Sequence, residues 1–492
     1  MKLKKQHKKG HWAFIPKSPA LIILVLLFLI VEIVFMSLMI ALNILPGVIT
    51  GILLIVFIAL TILIIKLLSS RKEHTTQRKV GTIISIVMIV ILAIGTFYMF
   101  STYSLFSKIS SGDGQYEVYD VVALKDGSYK KVKDIDGQAV FVSNNLSETY
   151  EKAKTELSKE VDVTYKEAAS QTELKNALVD GDGKEKDQII FLSDSTYEML
   201  CEYADEFKDK TKVIYTVSVK IESGDSAKRV GITDTPFNVY ITGIDTYGGI
   251  NKVSRSDVNM IMTVNPRTKE ILLTSIPRDM YVTLHSYGAL DKLTHSGIYG
   301  VNETVQTVED WLELDINYYI RVNFTSLQDI VDVLGGVDVE SEYAFSSSVS
   351  DYSYVKGVNH LDGEAALFFA RERKSFEEGD GERIQNQQRV LKAIIEKITG
   401  SSVILTKYTS ILNAVDDEIQ TNMSQSDISA LVKMQLKDLG EWDIQSISIK
   451  GKGTMAPTYS MGSRNLYVAI PDDESVKAAQ DAIYEVMHAV AE

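Results

Sequence analysis

The sequence predicts an α/β protein in which three N-terminal transmembrane helices precede a small α/β accessory domain and a larger α-β-α sandwich domain. Three observations carry that expectation. The first 110 residues contain three long apolar runs. Beyond them, β-branched apolar runs of strand length alternate with amphipathic stretches of helix length. Breaks rich in Gly, Ser and Asp, "SSGDG" and "ESGDSAKRVGITDTP", divide this later part.

The apolar runs extend from Ala20 to Leu45, Ile49 to Leu68 and Val80 to Phe100, each close to the roughly 20 residues that cross a bilayer core. A cleaved signal peptide would show one short apolar region with a small-residue cleavage site, so the pattern predicts residues 20–106 as a retained membrane anchor. Lys and Arg crowd "MKLKKQHKKGHWAFIPK" and "RKEHTTQRK", whereas only "NILPG" joins the first two runs. Because basic residues are retained on the cytoplasmic side, residues 1–19 form a cytoplasmic tail and everything after Phe106 is extracellular. Phe97, Tyr98, Phe100, Tyr103 and Phe106 supply an aromatic belt at the outer end. Glu32 is costly in mid-membrane, and pairing within a helix bundle accounts for it as well as a direct chemical role does.

Of the 492 residues, 45% are hydrophobic and 24% charged, as in a folded protein. Met1 to Ser110 carries twelve Lys and Arg against two acids, a net +10, which leaves −24 on the rest of a chain whose total is −14. Acidic exterior domains without a basic stripe exclude nucleic acid as a partner. The lone Cys201 has no second cysteine to pair with, so the exterior relies on core packing.

In the accessory domain, residues 111–232, "YDVVAL", "QAVFV", "QIIFL" and "KVIYTVSV" predict strands, and "SETYEKAKTELSKE" and "DSTYEMLCEYADEF" predict helices. No catalytic motif occurs there, and a spacer or partner-binding role follows. In the last domain, residues 237–492, "FNVYITGID", "NMIMTVN" and "ILLTSIP" have the near-continuous apolar character of strands covered on both faces. A helix over "NETVQTVEDWLEL" and a strand "YYIRV" follow. Thr325 and Gln328 make a capping box for "SLQDIVDVL", which Gly335 and Gly336 end before the strand "VDVE". Asp362 caps "GEAALFFA", and an amphipathic helix runs from about Glu382 to Ile398. Further helix and strand signals in the last 90 residues complete this domain.

Three clusters could do chemistry. Asp245 closes the first buried strand and Asp257 opens the next, so one loop can bring two carboxylates together, as Mg²⁺ bound to a phosphate requires; turn or cap duty is the plainer use of each. Arg278 and Asp279 directly follow the third strand, where a surface ion pair is the simple account, and Lys292 suits solvent. The stretch "FFARERKSFEEGDGERIQNQQRV" gathers Arg371, Arg373, Arg383 and Arg389. Arg371 and Arg373 lie about 200° apart on a continuous helix and converge only if the helix stops between them. Arg383 and Gln387 share a helical face, and Gln387 or Gln388 interrupts the stripe of Ile384, Leu391, Ile394 and Ile398. Pairing with Glu372, Glu377, Glu378 and Glu382 explains the arginines taken alone; with the two carboxylates they suit a phosphate or pyrophosphate.

"TGIDTYG", "SDVNMIMTVNP", "LLTSIPRDMYV", "LGGVDV", "LDGEAALFFARERK" and "GDGERIQNQQRVL" resemble, in order and wording, the LytR-CpsA-Psr family of Gram-positive envelope proteins across Phe237 to Ile398. The three spans and intervening domain look like its CpsA branch, linked with capsule production. The resemblance implies a phosphotransferase that moves a glycan from a polyprenyl-pyrophosphate carrier to peptidoglycan. It implies Mg²⁺ at Asp245 and Asp257, and pyrophosphate at Arg278, Arg371, Arg373, Arg383 and Gln387. Asp380 matches the loop Asp and is a candidate for activating the acceptor hydroxyl. Asn386 and Gly381 depart from the common pattern, and Asn386 is left outside the site. "ALFFA", Leu391 and Ile394 are candidate walls for a prenyl tail, and capsule-synthesis proteins are candidate partners. A regulator of capsule synthesis and a lipid pyrophosphatase are the alternative functions.

Overall fold

The structure, a computed structural model, describes residues 16, 18–70, 75–110, 116–143, 147–221, 226–244, 250–377, 379–400, 419–438 and 440–490. Two compact units are present.

The first unit contains α1 (Pro19–Leu42), α2 (Gly47–Leu68) and α3 (Thr75–Ser110), helices long and apolar enough to cross a membrane. Their large apolar side chains point outward, as at Ile55 and Phe97, which only a hydrocarbon surrounding makes favourable. The chain is thus a multi-pass membrane protein. Glu32 is buried between helices, and its carboxylate accepts a hydrogen bond of 2.6 Å from Thr61 Oγ1, so its polarity is met inside the bundle. A helix over Gln425–Lys437 belongs to the same compact unit.

The second unit begins with β1 (Tyr116–Leu124), β2 (Ala139–Ser143), α4 (Glu148–Glu160), β3 (Thr164–Ala168), α5 (Gln171–Asn176), β4 (Ile190–Ser193), α6 (Asp194–Tyr203), α7 (Asp205–Lys210) and β5 (Thr211–Lys220). The strands form one sheet in the order β3-β2-β4-β1-β5. The sequence predicts one helix over "DSTYEMLCEYADEF", but Ala204 adopts φ −148° and ψ 88° and divides it into α6 and α7. β3 gave no sequence signal because "TYKEA" is an edge strand with polar, mostly exposed side chains.

Next come β6 (Phe237–Gly243), β7 (Val258–Asn265), β8 (Glu270–Ser275), β9 (Tyr281–Thr283), β10 (Leu290–Lys292), α8 (Leu293–Ser296), α9 (Val301–Leu312), β11 (Tyr318–Val322), α10 (Phe324–Leu334) and β12 (Val337–Ser341). After them run β13 (Phe345–Ser346), β14 (Ser353–Tyr354), β15 (Gly357–Leu361), α11 (Gly363–Arg371), α12 (Asp380–Thr399) and β16 (Ile419–Thr421). The chain closes with β17 (Asp443–Ser448), β18 (Gly451–Thr458), β19 (Gly462–Pro471) and a last helix, Asp473–His488.

The main sheet has the order β16-β11-β6-β7-β8-β17, with β6, β7 and β8 as an antiparallel meander flanked by parallel neighbours. Every residue of β6 is buried, as expected of a strand covered on both sides. Alternate residues serve opposite faces. Tyr240 and Ile261 join Val305, Val308 and Ile483 in a core beneath α9 and the last helix, whereas Ile241 and Met260 face the other way, toward α10, α11 and α12. The expected α-β-α sandwich is therefore present.

Local signals in the larger domain behave as the residues dictate, apart from the cap of α10. Asp362 caps α11 by accepting from the Ala365 amide at 2.9 Å. The cap of α10 is Asn323 with Ser326, not Thr325 with Gln328, because the helix already begins at Phe324 as the chain leaves β11. Gly363 is needed for space: a Cβ there would stand 2.3 Å from the carbonyl oxygen of Gln328, which lets α11 start directly against α10.

The accessory sheet is packed into the second unit. Leu200 and Phe207 share one hydrophobic cluster with Ile298, Met461 and Leu466. Asp120 on β1 is buried nearby and accepts from Thr216 Oγ1 at 2.8 Å. Burial pushes its carboxyl up to about 7, assisted by the Asp194 carboxylate and opposed by Thr216 and Lys252. The folded state thus keeps a proton that the unfolded chain releases, so this stabilisation is full below about pH 4 and lost as the pH rises to about 7. Asp120→Asn fixes the neutral form, and it is expected to raise Tm by a few degrees at pH 8 and to change it little at pH 4 in thermal melts.

Candidate active site

Between the sheet and the α10–α12 layer lies a cavity of about 470 Å³. Its interior is apolar: Ile241, Met260, Leu327, Leu367, Val390 and Ile394 line it. Arg255, Arg278, Arg371, Arg373, Lys374 and Arg383 also line it, so an apolar chamber adjoins a strongly cationic wall. A ligand that fits must combine a hydrophobic body with an anionic group.

The cationic wall depends on where α11 stops. Its last residue is Arg371, and Glu372 turns to φ −67° and ψ 133°, so the two-residue spacing no longer separates Arg371 from Arg373. Buried Glu372 holds the turn by accepting from the amides of Ser348 (2.6 Å), Arg373 (3.1 Å) and Ser375 (3.1 Å). Burial would raise its carboxyl, but these amide bonds outweigh that and hold it below the usual glutamate range. The expected Glu372–arginine pairing gives way to this role because an acid turned inward at a helix end meets backbone N–H groups first. Arg371 lies over the Phe324 ring, 4.1 Å from its centroid, a cation–π contact that fixes the guanidinium.

Arg278 does not pair with Asp279. It donates to Asp257 Oδ1 at 2.7 Å, and Thr294 Oγ1 donates to the same oxygen at 3.2 Å. Asp279 instead receives Lys292 at 2.9 Å, and Lys292, expected in solvent, is buried beneath Tyr203. Burial by itself would raise the Asp257 carboxyl; Arg255, Arg278 and Arg383 outweigh it and hold the group below the usual aspartate range. Asp257 is thus ionised at neutral pH. Asp257 in turn, against the opposing effect of burial, keeps Arg278 firmly protonated. The Nε atoms of Arg278 and Arg383 are buried without a hydrogen-bond partner among the described residues. Two orphaned cationic donors beside an apolar chamber call for an acceptor-rich ligand.

On α12, Arg383 is pulled below the usual arginine range by burial, opposed by Asp380 and reinforced by Arg278. It forms an ion pair with Asp380 at 2.6 Å, and Asp380 itself lies outside the cavity lining. Gln387 lines the cavity, one helical turn from Arg383. Gln388 faces the sheet and donates to the carbonyls of Ile447 (2.7 Å) and Leu273 (3.2 Å), which settles the division of labour between the two glutamines. Arg389 joins Glu382, Glu342 and Asn386, away from the cavity, and Asn386 is buried in that network. Leu367, Ala370, Leu391 and Ile394 line the chamber, whereas Phe369 of "ALFFA" is fully buried in the core.

Asp245 lies outside the described residues. Among the described residues no group of three or more His, Cys, Asp or Glu could hold a metal ion, so the test of a Mg²⁺ site rests on Asp257. Its ionised carboxylate, with Oδ2 receiving no hydrogen bond from a described residue, fits an ion that takes one or two carboxylates from protein and the rest from phosphate and water.

The matching of sequence to family decides the broader question, since the LytR_cpsA_psr family model matches residues 190–482. The chain belongs to the LytR-CpsA-Psr family. Among its relatives, the polyisoprenyl-teichoic acid–peptidoglycan teichoic acid transferase TagU of Bacillus licheniformis is 37% identical over 228 residues, covering 46% of this chain and 68% of the relative. TagU of Bacillus subtilis is 36% identical, covering 48% and 73%. TagU of Enterococcus faecalis is 32% identical, covering 50% and 78%. Among solved structures, B. subtilis TagU aligns at a TM-score of 0.41 with 31% identity over 53% of this chain and all of that one. TagT bound to LIIa-WTA aligns at 0.42 with 27% identity over 55% and 97%.

Arg255, Glu202 and Phe324 are cavity residues that the sequence analysis missed. Arg255 carried a usable signal: it stands two residues before Asp257 in "SRSD", and both line the cavity. Glu202 gave none, because it arrives from the accessory domain. The two glutamines separate experimentally. Gln388→Ala is expected to cost about 1–3 kcal/mol in denaturant unfolding by leaving its sheet partners unmet. Gln387→Ala is expected to leave unfolding unchanged and to weaken binding of an anionic amphiphile several-fold by calorimetry.

Proposed function

We propose that this chain transfers a cell-wall glycopolymer from a polyprenyl-pyrophosphate carrier to peptidoglycan on the outer side of the membrane. The observation that carries the reading is the joining of an apolar chamber to an arginine wall with unmet buried donors. The prenyl tail occupies the chamber, and Arg278, Arg371, Arg373, Arg383 and Gln387 take the pyrophosphate oxygens. Forked guanidinium groups match paired phosphate oxygens in a way that lysine cannot.

An acceptor hydroxyl attacks the phosphorus bonded to the glycan. Its P–O bond to the lipid phosphate breaks, and polyprenyl phosphate leaves. Asp380, paired with Arg383 outside the cavity lining, is the candidate acceptor of the hydroxyl proton on the family resemblance alone. Charge neutralisation and positioning carry most of such a reaction, which a wall of arginines supplies. Asp257, with Asp245, would hold Mg²⁺, which when bound neutralises charge on the phosphates. The basic tail and the basic α2–α3 connection support a cytoplasmic N-terminus, which puts the site on the side where peptidoglycan lies.

The relatives' names support wall teichoic acid as the polymer; a capsular glycan rests only on the resemblance of the three-span arrangement to the CpsA branch. A strain carrying Arg371→Ala decides between polymers and between functions. Wall-linked phosphate and sugar are measured alongside transcripts of the envelope genes. Loss of one polymer from the wall with unchanged transcripts is the expected result; intact attachment with altered transcription sinks the transferase reading in favour of a regulator. With purified full-length protein and a lipid-linked glycan, Arg371→Ala is expected to lower turnover about 100-fold or more. Free glycan phosphate as the sole product, with peptidoglycan present, would identify a pyrophosphatase instead.

A further inference from the structure

We propose that the accessory domain is a working part of this site: Glu202 of α6 is a positioning residue that aims Arg255 into the cavity, and its helix braces the loop that delivers Asp257. The proposal rests on reading the cavity as a pyrophosphate site, but the brace stands on geometry of its own.

Asp194, Glu198 and Glu202 are spaced by four and share one face of α6. That face meets the loop preceding β7: Lys252 pairs with Asp194 and with Glu198 (3.2 Å), and Arg255 pairs with Glu202. Backbone bonds join in, since the Tyr116 amide donates to Asn251 (2.8 Å) and the Val253 amide to Tyr116 (3.1 Å), extending β1 onto the loop. From the opposite side buried Arg321 donates to the carbonyls of Ile250 (2.8 Å) and Lys252 (2.6 Å). At Gly297 a Cβ would stand 2.6 Å from the Ser254 carbonyl oxygen and the Ser256 amide nitrogen, so the loop is pressed onto α8 with no slack. Its last residue is Asp257, whose amide donates to the Gly243 carbonyl at 2.8 Å.

Two effects of Glu202 oppose each other. Its charge repels a bound anion, and its grip orients the guanidinium that attracts one. Glu202 and Arg255 both line the cavity, but the Glu202 side chain is 39% exposed and Arg255 only 17%, so solvent screens the repulsion more than it loosens the grip. Orientation therefore wins, and loss of Glu202 weakens anion binding. Tyr203, the next residue, covers Lys292 and reaches His295 Nε2 at 3.3 Å, which seats the end of α6 beside the Asp279 and Asp257 network.

The test uses full-length protein in nanodiscs, with geranylgeranyl pyrophosphate and Mg²⁺ as the probe. Glu202→Ala is expected to weaken probe binding about tenfold and to speed amide exchange at residues 253–257. Glu202→Asp is expected to restore most of both. In an Arg255→Ala background Glu202→Ala should cost nothing further, because it acts through Arg255. Unchanged exchange, unchanged or tighter binding, or a full penalty in the Arg255→Ala background would each overturn the proposal. Faster exchange in Glu202→Ala, with a wild-type protein that never binds the probe, would leave the brace standing and remove the pyrophosphate reading.

Discussion

Guanidinium groups gathered around one small cavity repel each other, and separate elements supply four of the five with a fixed partner. Asp257, from the start of β7, holds Arg278, and Asp380, from the first turn of α12, holds Arg383. Glu202, from the accessory helix, holds Arg255, and the Phe324 ring supports Arg371 at the start of α10. Each partner blunts that repulsion. Arg278 and Arg383 keep buried Nε donors with no partner among the described residues. Such a wall is costly when empty and is relieved by a polyanion, which is a way of storing binding energy for the anionic end of a ligand.

Everything else in the larger domain serves that arrangement. The meander of β6, β7 and β8 gives the cavity a floor whose alternate residues are committed to two different cores. α12 applies the same division around a helix: Gln388 is tied to the sheet, Gln387 looks into the chamber, and Arg389 binds a separate carboxylate network. The amide-rich pocket around Glu372 ends α11 at Arg371. A longer α11 would send Arg373 away from its neighbours.

Much of this was legible in the sequence because period and termination signals are local. The three apolar helices, the buried strands, the Asp362 cap and the condition that α11 stop between its arginines all follow from residues close together in the chain. Partner choice was not legible. Arg278 selects Asp257, 21 residues away, over its neighbour Asp279, because the strand end turns its side chain into the cavity while Asp279 meets buried Lys292. Edge strand β3 and β18, the first strand of the hairpin, lacked the apolar alternation on which strand prediction depends. The part played by α6 was hidden for a different reason: three acids on a helix face look solvated until the loop of another domain is laid across them.

The shared cluster of Leu200, Phe207, Ile298, Met461 and Leu466 has a practical consequence for chimeras. A graft cut at the composition breaks before Tyr116 and after Lys220 would carry half of a hydrophobic core and one side of five interlocking charges. A donor accessory sheet could be exchanged between homologues only together with its matching loop over residues 250–257 and the turn that carries Met461. The unit of inheritance for this portion is therefore the pair of sheets and their seam, and a substitution on either side of the seam is constrained by the residue it meets on the other.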